Sequence, residues 1–252
     1  MRKFLLLFFI ISFSFTNLSF ANDEAQEEEE EGFFSRTYRR QLRPIVEQSL
    51  DDTGKSILTY GGIATLLAFA LDNSVYEFNK DHPNRYMDDS TSHFFSNAGD
   101  GKLGIGIAVA QLFWDRENGI KHAWALFLTS TTHFTTAAIV QRDRPHGKLT
   151  YLPFPSSFPS GHSSSAFTTA ASLQNAYGDK VGIFSFAFAG AISASRIQQE
   201  AHWLSDVMAG ATLGSFWAHA SSKLDLGSPD KNGLLYPSVE KDQFAINFLR
   251  SF

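Results

Sequence analysis

The sequence predicts an all-α protein, a six-helix bundle preceded by a disordered acidic segment. Helical stretches recur along the 252 residues, near 44–72, 92–114, 119–142, 162–177, 180–196 and 201–221. Joints rich in Gly, Asp and Asn separate several of them, among them Asn97-Ala98-Gly99-Asp100-Gly101 and Tyr177-Gly178-Asp179. Ahead of them all, residues 23–31 read DEAQEEEEE, a run of like charges that repel one another and stay solvated.

Met1–Ala21 reads as a secretory signal peptide, with Arg2 and Lys3 as a basic start, an apolar core over 4–15, and Ser19-Phe20-Ala21 as a small-x-small cleavage site. Residues 22–43 form the expected disordered tail, in which Arg36, Arg39, Arg40 and Arg43 offset the acidic run. Residues 44–226 form one helical domain, a size that supports a single core. The tail over 227–252 is expected to be extended, with Gln243–Phe248 alternating weakly as a short strand. The formal net charge of −5 gives no basis for nucleic-acid binding. The absence of cysteine excludes disulfide and thiol chemistry.

Hydropathy balances a membrane-embedded bundle against a soluble one. Residues 56–71 and 207–222 are uncharged runs of sixteen, and 122–141 is a run of twenty that includes two His and six hydroxyl residues. A spanning helix wants about twenty apolar residues, and mean hydropathy is slightly negative. Several such stretches in one small domain, with 25 Phe, tilt the expectation toward membrane association. The signal peptide places the chain on the exported side, either at the inner membrane or free in the periplasm.

Three segments carry chemistry. Ser195-Arg196, His202 and Asp206 lie within twelve residues. His202 and Asp206 are four apart, so on one helix face the carboxylate takes the Nδ1 proton and leaves Nε2 free as a nucleophile. Arg196 adds a planar fork of donors suited to phosphate. Pro159-Ser160-Gly161-His162 enters the next helix with Ser160 as N-cap; the helix N-terminus attracts an anion, and Gly161 lets a backbone N–H approach it. Arg142-Asp143-Arg144-Pro145 ends the preceding helix and supplies Arg144, with Arg142 beside it, as further clamps. With antiparallel neighbouring helices, these segments fall at one end of the bundle.

Arg144-Pro145, thirteen residues, Pro159-Ser160-Gly161-His162, thirty-two residues, then Ser195-Arg196-x5-His202-x3-Asp206 resembles the type-2 phosphatidic acid phosphatase and vanadium haloperoxidase superfamily over about residues 55–222. The resemblance implies a helical bundle of that kind and a phosphatase acting on phosphomonoesters or diphosphates. It implies His202 as the nucleophile that becomes phosphohistidine, Asp206 as its orienter, and His162 as the general acid. It makes Arg144, Ser160, Gly161 and Arg196 the phosphate holders, with no metal or cofactor required. Substrates would be phosphorylated lipids for a membrane-bound chain, or small phosphoesters for a broad periplasmic acid phosphatase. A vanadate-dependent haloperoxidase and a non-catalytic headgroup-binding bundle are the remaining readings.

One position departs from the pattern. The superfamily's first motif begins with Lys seven residues before the Arg that matches Arg144; here Ala137 stands there. Arg142 is the expected substitute, and His133, one helical turn before Ala137, is the other candidate.

Overall fold

The computed structural model describes residues 33–85, 87–147, 156–226, 235–240 and 243–248. The expected signal peptide and the acidic run over 23–31 lie outside them. The chain divides into two units, residues 1–37 and 38–252. In the first, Phe33–Thr37 form α1. The second opens with a π-helical turn, Tyr38–Leu42. There follow α2 (Arg43–Gln48), α3 (Asp52–Asp81), α4 (Asp89–Ala98), α5 (Lys102–Trp114), α6 (Arg116–Val140), α7 (Gly161–Tyr177), α8 (Asp179–Gln198) and α9 (Leu204–Ser222). Strands β1 (Leu235–Glu240) and β2 (Gln243–Phe248) pair antiparallel, Leu235 opposite Phe248. The strand expected at 243–248 is therefore present, and it has a partner.

The chain is mostly helical, but the boundaries correct the sequence reading in four places. The disorder expected over 22–43 does not extend to residues 33–42, which are helical; Gln41 accepts a hydrogen bond from Trp124 Nε1 at 2.7 Å, and Leu42 packs on the Ile45 cluster. The stretch 44–72 is two helices, because Asp51 caps a new one by accepting from the Gly54 N–H at 2.8 Å. The stretch 92–114 is also two. Gly101 has φ 92°, a left-handed conformation that ends one helix and lets the next start. The described residues thus hold seven helices of ten residues or more, not six. The last expected helix, 201–221, begins only at Leu204. Asp206 accepts from the Trp203 N–H at 2.8 Å, which fixes that start.

The centre of the bundle is α9, which packs against α7, α3 and α6, while α7 also packs against α8, α5 against α6, and α4 against α8. Residues Ile45, Leu128, Ala220, Leu224 and Leu226 form one buried apolar cluster, with Trp124 and Trp217 against it. Small residues decide the α7–α9 crossing. A Cβ on Gly210 would lie 2.6 Å from the Ser160 carbonyl oxygen, and one on Gly214 would collide with the Ser164 carbonyl oxygen. That close approach sets the N-terminus of α7 against the start of α9, where the Ser160 N–H donates to the Asp206 carbonyl at 2.9 Å.

Outward faces are strongly apolar. Leu66 and Leu67 of α3, Ile105 and Phe113 of α5, and Ile183 and Phe184 of α8 are all more than half exposed. Among the described residues, α3 and α8 are long and apolar enough to cross a membrane.

Candidate active site

Three loops meet at one end of the bundle: residues 141–147 after α6, residues 156–160 before α7, and residues 199–203 between α8 and α9. Hydrogen bonds join them: the Ser157 N–H donates to the Arg142 carbonyl at 2.7 Å, and Trp203 Nε1 donates to the Asp143 carbonyl at 2.9 Å. All the segments singled out in the sequence are therefore brought together, as antiparallel connectivity predicts.

His202 is buried, and its Nδ1 lies 2.8 Å from the Ser157 carbonyl oxygen. A carbonyl can only accept, so Nδ1 carries the proton and Nε2 keeps its lone pair. The free Nε2 is as expected; the group that fixes it is not. Asp206 Oδ2 stands 3.7 Å from Nδ1, too far for a hydrogen bond. The i,i+4 helical stacking fails because His202 precedes α9 by two residues. The fully buried Asp206 is instead held by Ser157 Oγ, the Trp203 N–H and Arg142. At 3.7 Å its charge still acts on the ring. Burial holds the His202 imidazole below its ordinary value of 6.5; the Arg144 and Arg196 cations push the same way, and Asp206 opposes them.

Ser160 caps α7, its Oγ accepting from Ser163 N–H at 3.5 Å and Ser163 Oγ at 3.2 Å. Gly161 follows, and the His133 ring of α6 lies against it: a Cβ there would meet His133 Cε1 and Nε2 at 3.2 Å. His162 packs over Gly99 in the α4–α5 joint. Arg196 donates to Ser96 Oγ, and to Gln199 Oε1 at 2.6 Å. Among the described residues, Arg144 Nε and Arg196 Nε are buried without a hydrogen-bond partner, as is His133 Nδ1. Burial lowers the Arg144 guanidinium from its ordinary value, and nearby Asp206 opposes this. Buried donors left unmade are costly, and an anion with several oxygens satisfies them.

Arg142 is the correction. It was expected at the phosphate and in place of the missing lysine. Its guanidinium instead donates to Asp206 Oδ1 and Ser205 Oγ, both at 2.6 Å, and to Asp72 Oδ2 at 2.7 Å. The ring of Phe69 lies 4.6 Å from its centre and that of Trp203 5.2 Å. Two carboxylates saturate it behind Asp206. Ala137 is buried, so of the two candidates His133 is the one at the α7 N-terminus.

Sequence reasoning missed Ser157 and Asp72. Ser157 sits in a Pro/Ser/Phe-rich loop with no spacing signal. Asp72 closes the uncharged run 56–71 and so reads as the end of an apolar segment. Alongside the site, α5, α6 and α7 line an open cavity of about 570 Å³. His162, His133 and Asp100 line its polar part; Ile105, Leu112 and Phe127 line the rest.

The model of the PAP2 superfamily matches residues 118–226, which bears out the resemblance drawn from the motifs. No curated protein matches the chain. Two solved structures share the fold. Aquifex aeolicus LpxE superposes with a TM-score of 0.52 at 23% identity, over 60% of this chain and 94% of that one. The first transmembrane PAP2 type phosphatidylglycerolphosphate phosphatase from Bacillus subtilis superposes with a TM-score of 0.54 at 18% identity, over 66% of this chain and 92% of that one.

Proposed function

We propose that the chain is a phosphatase that hydrolyses phosphomonoesters or diphosphates of lipids through a phosphohistidine at His202. The carrying observation is the meeting of a neutral, tautomer-fixed His202 with the buried, unpartnered Nε donors of Arg144 and Arg196 at the N-terminus of α7. A nucleophile facing an anion-binding site is the arrangement phosphoryl transfer needs.

In the first step His202 Nε2 attacks phosphorus, and the bond from phosphorus to the leaving oxygen breaks. Burial and the Arg196 cation by themselves disfavour a protonated His162. The bound phosphate anion offsets both, so His162 is protonated beside it and gives the leaving oxygen that proton, and the alcohol or phosphate leaves neutralised by one charge. Arg144, Arg196, Ser160 and the Gly161 N–H hold the equatorial oxygens as charge spreads over them. In the second step His162, now unprotonated, takes a proton from water. The resulting hydroxide attacks phosphorus, the phosphorus–nitrogen bond breaks, and its electron pair returns to Nε2.

The lipid substrate class rests on three supports. The apolar cavity beside His162 suits a hydrocarbon segment, and the exposed apolar faces of α3, α5 and α8 suit a bilayer. The similar Bacillus subtilis protein is a phosphatidylglycerolphosphate phosphatase, which favours the same class. We read residues 44–226 as a membrane-embedded catalytic domain, exported by residues 1–21, with its site on the periplasmic side. Phosphate release from phosphatidic acid, phosphatidylglycerophosphate, a polyprenyl diphosphate and a soluble monoester tests this. Release from a lipid substrate that disappears in His202→Ala is expected. A wild-type protein that releases no more than His202→Ala from any substrate overturns it.

A further inference from the structure

Linked to Asp206 through Arg142 lies a second buried carboxylate. Asp72 of α3 is 5% exposed. Its Oδ2 accepts from Arg142 at 2.7 Å and from Ser205 Oγ at 2.6 Å, and its Oδ1 accepts from the Ser205 N–H at 2.9 Å. The same guanidinium reaches Asp206 Oδ1 at 2.6 Å. Two carboxylates thus share one cation, roofed by Phe69 and Trp203.

Holding α3 against α9 does not need this arrangement, because those helices also interlock at Gly61 and Thr212. The count of charges gives it another use. Asp206 with Arg142 alone is a neutral pair, which gives little support to a cation on His202. Asp72 returns the cluster to a net charge of −1. Among the described residues, the other charged or titratable groups that act on His202 are Arg144, Arg196, His162 and, from α6, His133, while Asp100 of the α4–α5 joint acts on His162. None of those acting on His202 is an anion, so the carboxylate cluster is what opposes them there. The need is greatest when Nε2 carries a phosphoryl group, because Nδ1 keeps its proton and the ring is then cationic.

We propose that Asp72 is a positioning residue of the phosphoryl-transfer site: through Arg142 and Ser205 it orients Asp206, and it supplies the net negative charge that supports the cationic state of His202. This rests on the reading of His202 as the nucleophile. It predicts effects of opposite sign from neighbouring substitutions, which a helix clamp does not. Asp72→Asn leaves the cluster neutral and disfavours the imidazolium. Arg142→Gln leaves it more negative and favours the imidazolium.

The test is the titration of His202 by imidazole 15N resonances in the detergent-solubilised full chain, with helicity and Tm as controls. Asp72→Asn should move the His202 midpoint down by about half a pH unit or more, and Arg142→Gln should move it up. Asp72→Glu should return it toward wild type. The double variant should lie above Asp72→Asn alone, since Asp206 is then unneutralised. Midpoints that do not move, or move the same way in both single variants, overturn the proposal even where Tm falls. If Asp72→Asn fails to fold, Arg142→Gln decides alone, and an unchanged or lowered midpoint overturns it. The titration needs no substrate, so its failure is distinct from a failure to release phosphate. If phosphate is released, Asp72→Asn should also lower kcat by about tenfold, with KM little changed.

Discussion

The His202 imidazole donates its Nδ1 proton to the carbonyl oxygen of Ser157 at 2.8 Å, so a backbone group, not a carboxylate, fixes which ring nitrogen is free. Asp206 acts on the same ring across 3.7 Å and is itself held by the Ser157 side chain. One residue, Ser157, therefore sets the tautomer of His202 with its main chain and the place of Asp206 with its hydroxyl.

This division of labour makes Ser157→Ala informative. The carbonyl stays and the tautomer is kept, but buried Asp206 loses one donor. Stability should fall by about 1–3 kcal/mol, read as a drop in Tm, with activity reduced but not abolished.

The pH profile follows from burial and the two arginines. As the proposed nucleophile His202 would react as the neutral imidazole, and its value lies below 6.5. Activity should therefore persist as pH falls through 6.5, and the acid limb of kcat/KM should lie below that point. Arg144→Ala removes a cation that disfavours imidazolium. The His202 value then rises, the acid limb moves to higher pH, and KM increases as a phosphate contact is lost. A limb that stays put or moves to lower pH in Arg144→Ala contradicts this.

Gly161→Ala places a Cβ at 3.2 Å from the His133 ring edge. The ring must shift by a few tenths of an ångström, at the helix turn proposed to present its N–H groups to phosphate. Helicity should be unchanged while kcat/KM falls, by up to about 100-fold. Circular dichroism with steady-state kinetics reads both.

Gly214→Ala attacks the scaffold instead. Its Cβ collides with the Ser164 carbonyl, a backbone atom that cannot turn aside. Overpacking of this sort costs about 1–3 kcal/mol, so Tm should drop and activity should fall with it, because α7 and α9 carry the site between them.

Much of the site was legible because its residues stand at loop–helix junctions, where chain direction and helix length place them at one end. Arg144, Ser160, Gly161, His162, Arg196 and His202 all converge there. What escaped reading depends on long-range pairing. Asp72 is charged at the edge of an apolar run, and its distant partners, Arg142 seventy residues away and Ser205 farther still, explain its burial. Arg142 looked like a phosphate clamp for the same reason, since no local pattern shows a cation already saturated. The His202–Asp206 spacing suggested a shared helix, but Asp206 caps that helix and leaves His202 outside it. The breaks at Ser49–Asp51 and Gly99–Gly101 turn on single capping and left-handed residues, which periodicity averages away.

The most direct test of the central claim is to quench the protein during turnover of a radiolabelled lipid phosphate and map the bound label. The account predicts acid-labile, alkali-stable label on His202, absent from His202→Ala and longer-lived in His162→Ala, where the base for hydrolysis is gone. Label on another residue, or efficient phosphate release that survives in His202→Ala, would contradict it.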